Sequence, residues 1–168
     1  MRTFLGRDKY DWAGFGLLCL VLGSMVAVML SCEPAQAVEE YESIVTETVM
    51  MEAASEGLDG MIAVAEVIRN RAIKRYGIAT YETMAKEVLR PKQFSCWNSH
   101  KWAKAWLESH GTGESFQRAS RAIGEAITGS DTVKGATHYH TNAVKPYWVD
   151  SMRYIGTVGE HRFYKEGR

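Results

Sequence analysis

Two glutamates in the stretch VMMEAASEG, Glu52 and Glu56, stand where acid–base chemistry is possible. Ahead of them Val38, Tyr41, Val45 and Val49 recur at three- and four-residue spacing. That spacing predicts a helix over 38–54 with this stripe toward a core and Glu39, Ser43, Glu47 and Met50 facing elsewhere. Seven residues on, Glu52 returns to within about 20° of Val45, at the centre of the apolar stripe. An ionised carboxylate buried without a partner is costly, so a group in that position tends to keep its proton. A carboxylic acid that is protonated near neutral pH is a general acid, and after donating it is a base. The structural alternative is a helix-end glutamate that reaches water or pairs with Arg69 or Arg71. Glu56, the second candidate, shares the face only if the helix persists. Gly57 directly after it predicts a turn instead, with Glu56 capping the next helix or lining the rim of a cleft.

The elements that must position these groups follow from the pattern of apolar residues and breakers. Asp59 is expected to cap a second helix, GMIAVAEVIRNRAIKRY, with Met61, Val64, Ala65, Ile68 and Ala72 inward and Gly77 as its stop. Thr80 is placed to cap YETMAKEVLR, which Pro91 ends. PKQFSCWNSH (91–100) reads as an aromatic-polar loop and HKWAKAWLESH as a short helix broken at 111–113. SFQRASRAIGEAIT reads as a further helix with Phe116, Ala119, Ile123 and Ile127 inward. From Gly135 the texture changes: ATHYHT alternates like a strand, NAVKPYWVDS is a loop, and YIGTVGEHRFYK is a strand–turn–strand. Several helices followed by a small C-terminal antiparallel β portion make an α+β domain.

The 168 residues suffice for one domain and a tail, and a formal net charge of zero gives no sign of the cationic face that a nucleic-acid partner needs, so nucleic acid is set aside. Residues 12–32, WAGFGLLCLVLGSMVAVMLSC, carry no charge and follow a basic start. With the small-residue ending Ala35-Gln36-Ala37 they read as an export signal over 1–37. The run is also long enough to remain as a membrane anchor, and a lipoprotein signal ending at Cys32 is a third form. In each case the domain over 38–168 works outside the cytoplasm, touching membrane only through an uncleaved N-terminal segment. Cys19 and Cys32 fall in that segment, so Cys96 is the single thiol of the domain, expected as a small buried hydrophobe.

Several short motifs occur in a specific order: E-A-x-x-E-G at 52–57, G-M-x-A-V-A-x-V-I-x-N-R at 60–71 and P-x-Q-F-S-C at 91–96. G-A-T-H-Y-H at 135–140, P-x-W at 146–148, Ile155-Gly156 and H-x-F-Y at 161–164 complete the series. This succession, from about Thr46 to Tyr164, resembles the SleB-type, spore-cortex-lytic cell-wall hydrolases, including phage and Gram-negative members. The resemblance implies a lysozyme-related α+β fold acting on peptidoglycan glycan strands, cutting between N-acetylmuramic acid and N-acetylglucosamine. The family acid is the first glutamate of the box, here Glu52, which is also the residue singled out by the helical wheel.

That chemistry implies a lytic transglycosylase working with one acid and no cofactor, or a muramidase if water intervenes. Asp131, Asp150 and Glu160 are the carboxylates available to a two-acid scheme. A glycan groove calls for amides and flat apolar faces, which points to Asn70, Gln93, Phe94, Trp97, Tyr139, Asn142, Tyr147 and Trp148. The family segments favour Phe94, His138, Tyr139, His140, Trp148 and His161. A zinc amidase is the competing enzyme: His138 and His140 share a strand face, and His161 is a possible third ligand, although no H-E-x-x-H is present. A wall-binding module that lost its chemistry is the non-enzymatic alternative. The protein is expected to act as a monomer.

Overall fold

The computed structural model describes residues 35–167, so the 12–32 segment lies outside the described residues. Among the described residues no helix is long and apolar enough to cross a membrane. The chain forms α1 (Ala35–Ala53), a 3₁₀ turn at Ala54–Glu56, α2 (Gly57–Tyr76) and α3 (Tyr81–Val88). A second 3₁₀ turn at Ser95–Asn98 leads into α4 (His100–His110) and α5 (Gly113–Ile127). The β portion is β1 (His138–Thr141), a 3₁₀ turn at Tyr147–Ser151, β2 (Met152–Val158) and β3 (His161–Glu166).

Local chemistry sets most of these boundaries. The Thr80 hydroxyl accepts from the Thr83 N–H while Thr83 reaches back to the Thr80 N–H, and Thr112 and Ser115 repeat this reciprocal cap on α5. Ser99 accepts from the Trp102 N–H to start α4. Gly77, at φ +80°, stops α2 in the left-handed region that favours glycine. The expectation that Asp59 caps the second helix is corrected: α2 begins at Gly57, and Asp59 lies exposed in its first turn, where its charge faces the positive helix end.

The predicted inward stripe of α2 is fully buried, together with Val45 and Val49 of α1 and Ala119, Ala122, Ile123 and Ala126 of α5. Three assignments are corrected, the first being Val38, expected in the inward stripe but exposed in the first turn of α1 beyond the reach of the core. Met50 was expected to face away from the core and is fully buried, because the second half of α1 is enclosed on more than one side. Ile127 was expected inward and is exposed at the last residue of α5. The opposite side of α2 is buried as well: Ala63 and Val67 pack with Val133, Ala136 and Phe163 into a second apolar cluster under the sheet. α2 is thus the central element, with helices on one side and the sheet on the other.

The three strands are antiparallel in the order β1-β3-β2, with a bulge between Tyr154 and Gly156. What holds them to α2 is a row of side-chain-to-backbone hydrogen bonds. The fully buried Glu66 carboxylate accepts from the N–H groups of Thr132 and Val133, at 3.0 and 2.9 Å. Arg69 donates to the carbonyls of Ala126 and Ser130, Asn70 to that of Ala136 at 2.9 Å, and Arg71 to that of Thr137 at 2.6 Å. The segment between α5 and β1 is therefore fixed along one helix face.

Replacing Glu66 with Gln turns an amide NH₂ toward one of two backbone donors. Glu66→Gln is expected to destabilise the fold by about 2–3 kcal/mol, since hydrogen bonds to a charged group carry roughly that much. Urea unfolding of the two proteins measures it, and a difference below about 0.5 kcal/mol would show that the contact is dispensable.

Candidate active site

Glu52 occupies the last turn of α1, one residue before the helix gives way to the 3₁₀ turn. It is half-buried, at the edge of the core that its helix stripe enters. Tyr139, on β1, donates its hydroxyl to Glu52 Oε2 at 2.9 Å. The Cys96 thiol, from the 3₁₀ turn after α3, lies near enough to feel the charge of Glu52. Three separate elements therefore converge on one carboxylate: the end of α1, the 3₁₀ turn containing Cys96, and the first strand.

Neither neighbour of Glu52 ionises in this setting. Burial is the main cause that raises the Tyr139 hydroxyl well above its usual value, and the nearby Glu52 charge adds to it. The Cys96 thiol is pushed up for the same two reasons. Both groups consequently stay protonated, and Cys96, 2% exposed, is a poor nucleophile. The carboxylate is oriented by the neutral Tyr139 hydroxyl, and among the described residues no cation lies within ion-pairing distance of it. Arg69 and Arg71, considered from the sequence as ion-pair partners for Glu52, are spent on backbone carbonyls instead. Arg71 also lies over the Phe94 ring, 5.1 Å from its centroid.

Glu56 does different work. Its Oε2 accepts from the Glu160 N–H at 2.7 Å, which ties the β2–β3 turn to the start of α2. Gly159 in that turn has φ +55°, and a Cβ there would come within 1.9 Å of the same Glu56 oxygen. A carboxylate committed to a backbone N–H in this way anchors a turn, so Glu52 is the better placed of the two acids. Of the three other carboxylates weighed for a two-acid scheme, Asp131 and Asp150 are also engaged. Asp131 accepts from the Gly135 N–H at 2.8 Å, Asp150 pairs with Lys145 at 2.9 Å, and Glu160 is exposed.

The remaining residues expected to bind substrate divide by the sheet register. Tyr139 pairs with Phe163, and Thr141 with His161, so these side chains share the face toward the helices. His138 and His140, opposite Tyr164 and Arg162, face the other way. The three histidines of the zinc reading therefore lie on two sides of one sheet, and the expectation that His161 completes a site with His138 and His140 is corrected. His161 instead packs edge-on against Tyr139, with centroids 5.1 Å apart. His140 is buried, its ring nitrogens taken by the Thr141 carbonyl and the Tyr164 hydroxyl. Trp148 stands over His138 and His140 on the outer face, half-buried.

Asn70 and Phe94, two further expected sugar contacts, are occupied by the fold. Asn70 uses its amide nitrogen on Ala136 and its oxygen on Arg69, and Phe94, 3% exposed, has one face under Arg71. Among the groups singled out for a groove, Gln93 and Trp97 are half-buried, while Asn142 and Tyr147 are exposed. The Trp97 indole N–H donates to Thr48 at 2.9 Å. The sequence reading missed the contact of Cys96 with Glu52 and the role of the Arg69-Asn70-Arg71 run. The available signal was three consecutive polar residues on a helix otherwise rich in buried apolar ones.

Comparison with known proteins agrees with this architecture. The cell wall hydrolase family matches residues 55–164, a stretch that begins just after Glu52 and includes Glu56. The fold is similar to the catalytic domain of the germination-specific lytic transglycosylase SleB from Bacillus anthracis. Identity there is 23% and the TM-score 0.55, over 74% of this chain and 93% of that one. The catalytic domain of the Bacillus cereus SleB protein is similar at 22% identity and a TM-score of 0.56, over 76% of this chain and 91% of that one. No curated protein matches the chain. With the family match spanning α2 to β3 and the same helix-plus-small-sheet fold in both relatives, the chain belongs to the SleB-type cell wall hydrolase family.

Proposed function

We propose that this cell wall hydrolase cleaves peptidoglycan glycan strands between N-acetylmuramic acid and N-acetylglucosamine as a lytic transglycosylase, with Glu52 as its single acid and base. The observation that carries the reading is the half-buried Glu52 carboxyl group held by the hydroxyl of Tyr139 and bordered by the buried thiol of Cys96. Glu52 protonates the glycosidic oxygen as the bond from muramic C1 breaks, and the N-acetylglucosamine leaves as an alcohol. The muramic C6 hydroxyl then attacks C1 while Glu52 takes its proton. This closes a 1,6-anhydro ring and restores the acid. The nucleophile belongs to the substrate, so one carboxyl group serves both steps.

Two-carboxylate glycosidases hold their second acid across the scissile bond. Asp131 and Asp150 are bound into loops elsewhere, which favours the one-acid scheme over a conventional muramidase. Water attacking in place of the C6 hydroxyl gives the muramidase outcome from the same residue. The substrate lies outside the cytoplasm, in keeping with an export signal or anchor over 1–37, and membrane contact through that segment belongs to the same proposal.

Glu52→Gln keeps the shape of the side chain and removes the acid, so wall digestion is expected to fall by about 10²–10⁴-fold with folding intact. Mass spectrometry of the products decides the reaction: 1,6-anhydro ends are expected, new reducing ends would indicate hydrolysis, and released peptides would indicate an amidase. Digestion at the wild-type rate by Glu52→Gln would remove that residue from the role. Tyr139 acts as a positioning residue. Tyr139→Phe, which loses one hydrogen bond to the carboxylate, is expected to lower kcat about tenfold with KM nearly unchanged; a rise in KM alone would place Tyr139 in substrate binding instead.

A further inference from the structure

Arg71, which feels the charge of Glu52, lines a cavity of about 440 Å³ that the one-acid mechanism does not use. α2 supplies Arg71, Lys74 and Arg75 to its wall, and Arg90 joins them from the turn after α3. Two carboxylates, Glu87 and Glu166, face these four cations. Glu87 is divided between Arg75 at 3.1 Å and Arg90 at 2.9 Å, and Glu166 pairs with Lys74. Among the described residues, no carboxylate lies within ion-pairing distance of Arg71. Its Nε donates to the Thr137 carbonyl, while its buried Nη1 has no hydrogen-bond partner. A buried guanidinium nitrogen without an acceptor is costly, and a cavity with a cationic excess suits an anionic ligand.

The cavity is tied to the site by sequence neighbours. His138 lines it, and its neighbour Tyr139, on the opposite face of β1, donates to Glu52. Arg71 lines it too and feels the charge of Glu52. In a glycan strand the muramic acid on one side of the scissile bond carries a stem peptide with free carboxylates. We infer that this cavity receives a carboxylate of that stem peptide, with Arg71 as the central donor and Lys74 at the rim. The inference rests on the glycan-strand reading above and adds to it a preference for peptide-bearing strands. The volume lies within the range of small-ligand sites, ample for a carboxylate and the peptide segment that carries it.

The test compares KM on three forms of glycan strand: native, with stem carboxylates converted to amides, and with the peptides removed so that the lactyl carboxylate is free. Wild type is expected to show a KM roughly three- to tenfold lower on native strands than on either other form. Lys74→Gln is expected to raise KM on native strands, and Glu166→Gln, which frees Lys74, to lower it; neither should move KM on amidated strands. Equal KM values on native and amidated strands would overturn the inference. So would an equally low KM on stripped strands, which would make the lactyl carboxylate the ligand, or a parallel rise for both variants on all three forms. These outcomes are separate from the fate of the catalytic reading. Loss of cleavage in Glu52→Gln alongside a flat KM comparison removes only the cavity, whereas anhydro products from Glu52→Gln remove the acid.

Discussion

The segment from the end of α5 to the start of β1 has little regular structure of its own, and its backbone groups must find partners within the fold. α2 provides them. Glu66 takes two N–H groups, while Arg69, Asn70 and Arg71 give donors to four carbonyls between Ala126 and Thr137. This row of contacts sets where β1 begins, and so sets the height at which Tyr139 meets Glu52. Loosening it would move the strand relative to α1 and separate the phenol from the carboxylate, even with both side chains unchanged.

The same helix solves a packing problem. One side of α2 closes the helical core and the other supports the sheet, so the helix is buried nearly all round. Polar residues on such a helix must be satisfied internally, because a buried unpaired group costs more than a good hydrogen bond returns. Glu66, Arg69 and Asn70 meet that demand completely. Arg71 meets it in part, with one nitrogen unpaired, and it also lines the cationic cavity.

The chemistry around Glu52 is economical. A buried phenol and a buried thiol remain protonated beside it, and the phenol holds the carboxylate without bringing a charge. The proposed acid therefore has neutral neighbours, unlike Glu87, which pairs with two arginines. Glu56, four residues on, illustrates how little sequence proximity says about role: its oxygen closes a turn between strands more than a hundred residues away.

Much of this was legible from residue order. Helix periodicity marked the buried stripe of α2, the threonine cap of α3, and Glu52 as an acid inside an apolar stripe; alternation marked the strands; the motif succession marked the family. These are local properties, fixed by 3.6- and two-residue periods and by capping chemistry. Strand pairing is not local. Only the register of β1 against β3 put His161 on the opposite sheet face from His138 and His140, and only tertiary packing buried Met50, spent Asn70 on Ala136 and brought Cys96 to Glu52. The residue types set which groups were able to do chemistry; long-range contacts decided which were left free to do it, because a polar side chain in a packed interior first satisfies the backbone nearest to it.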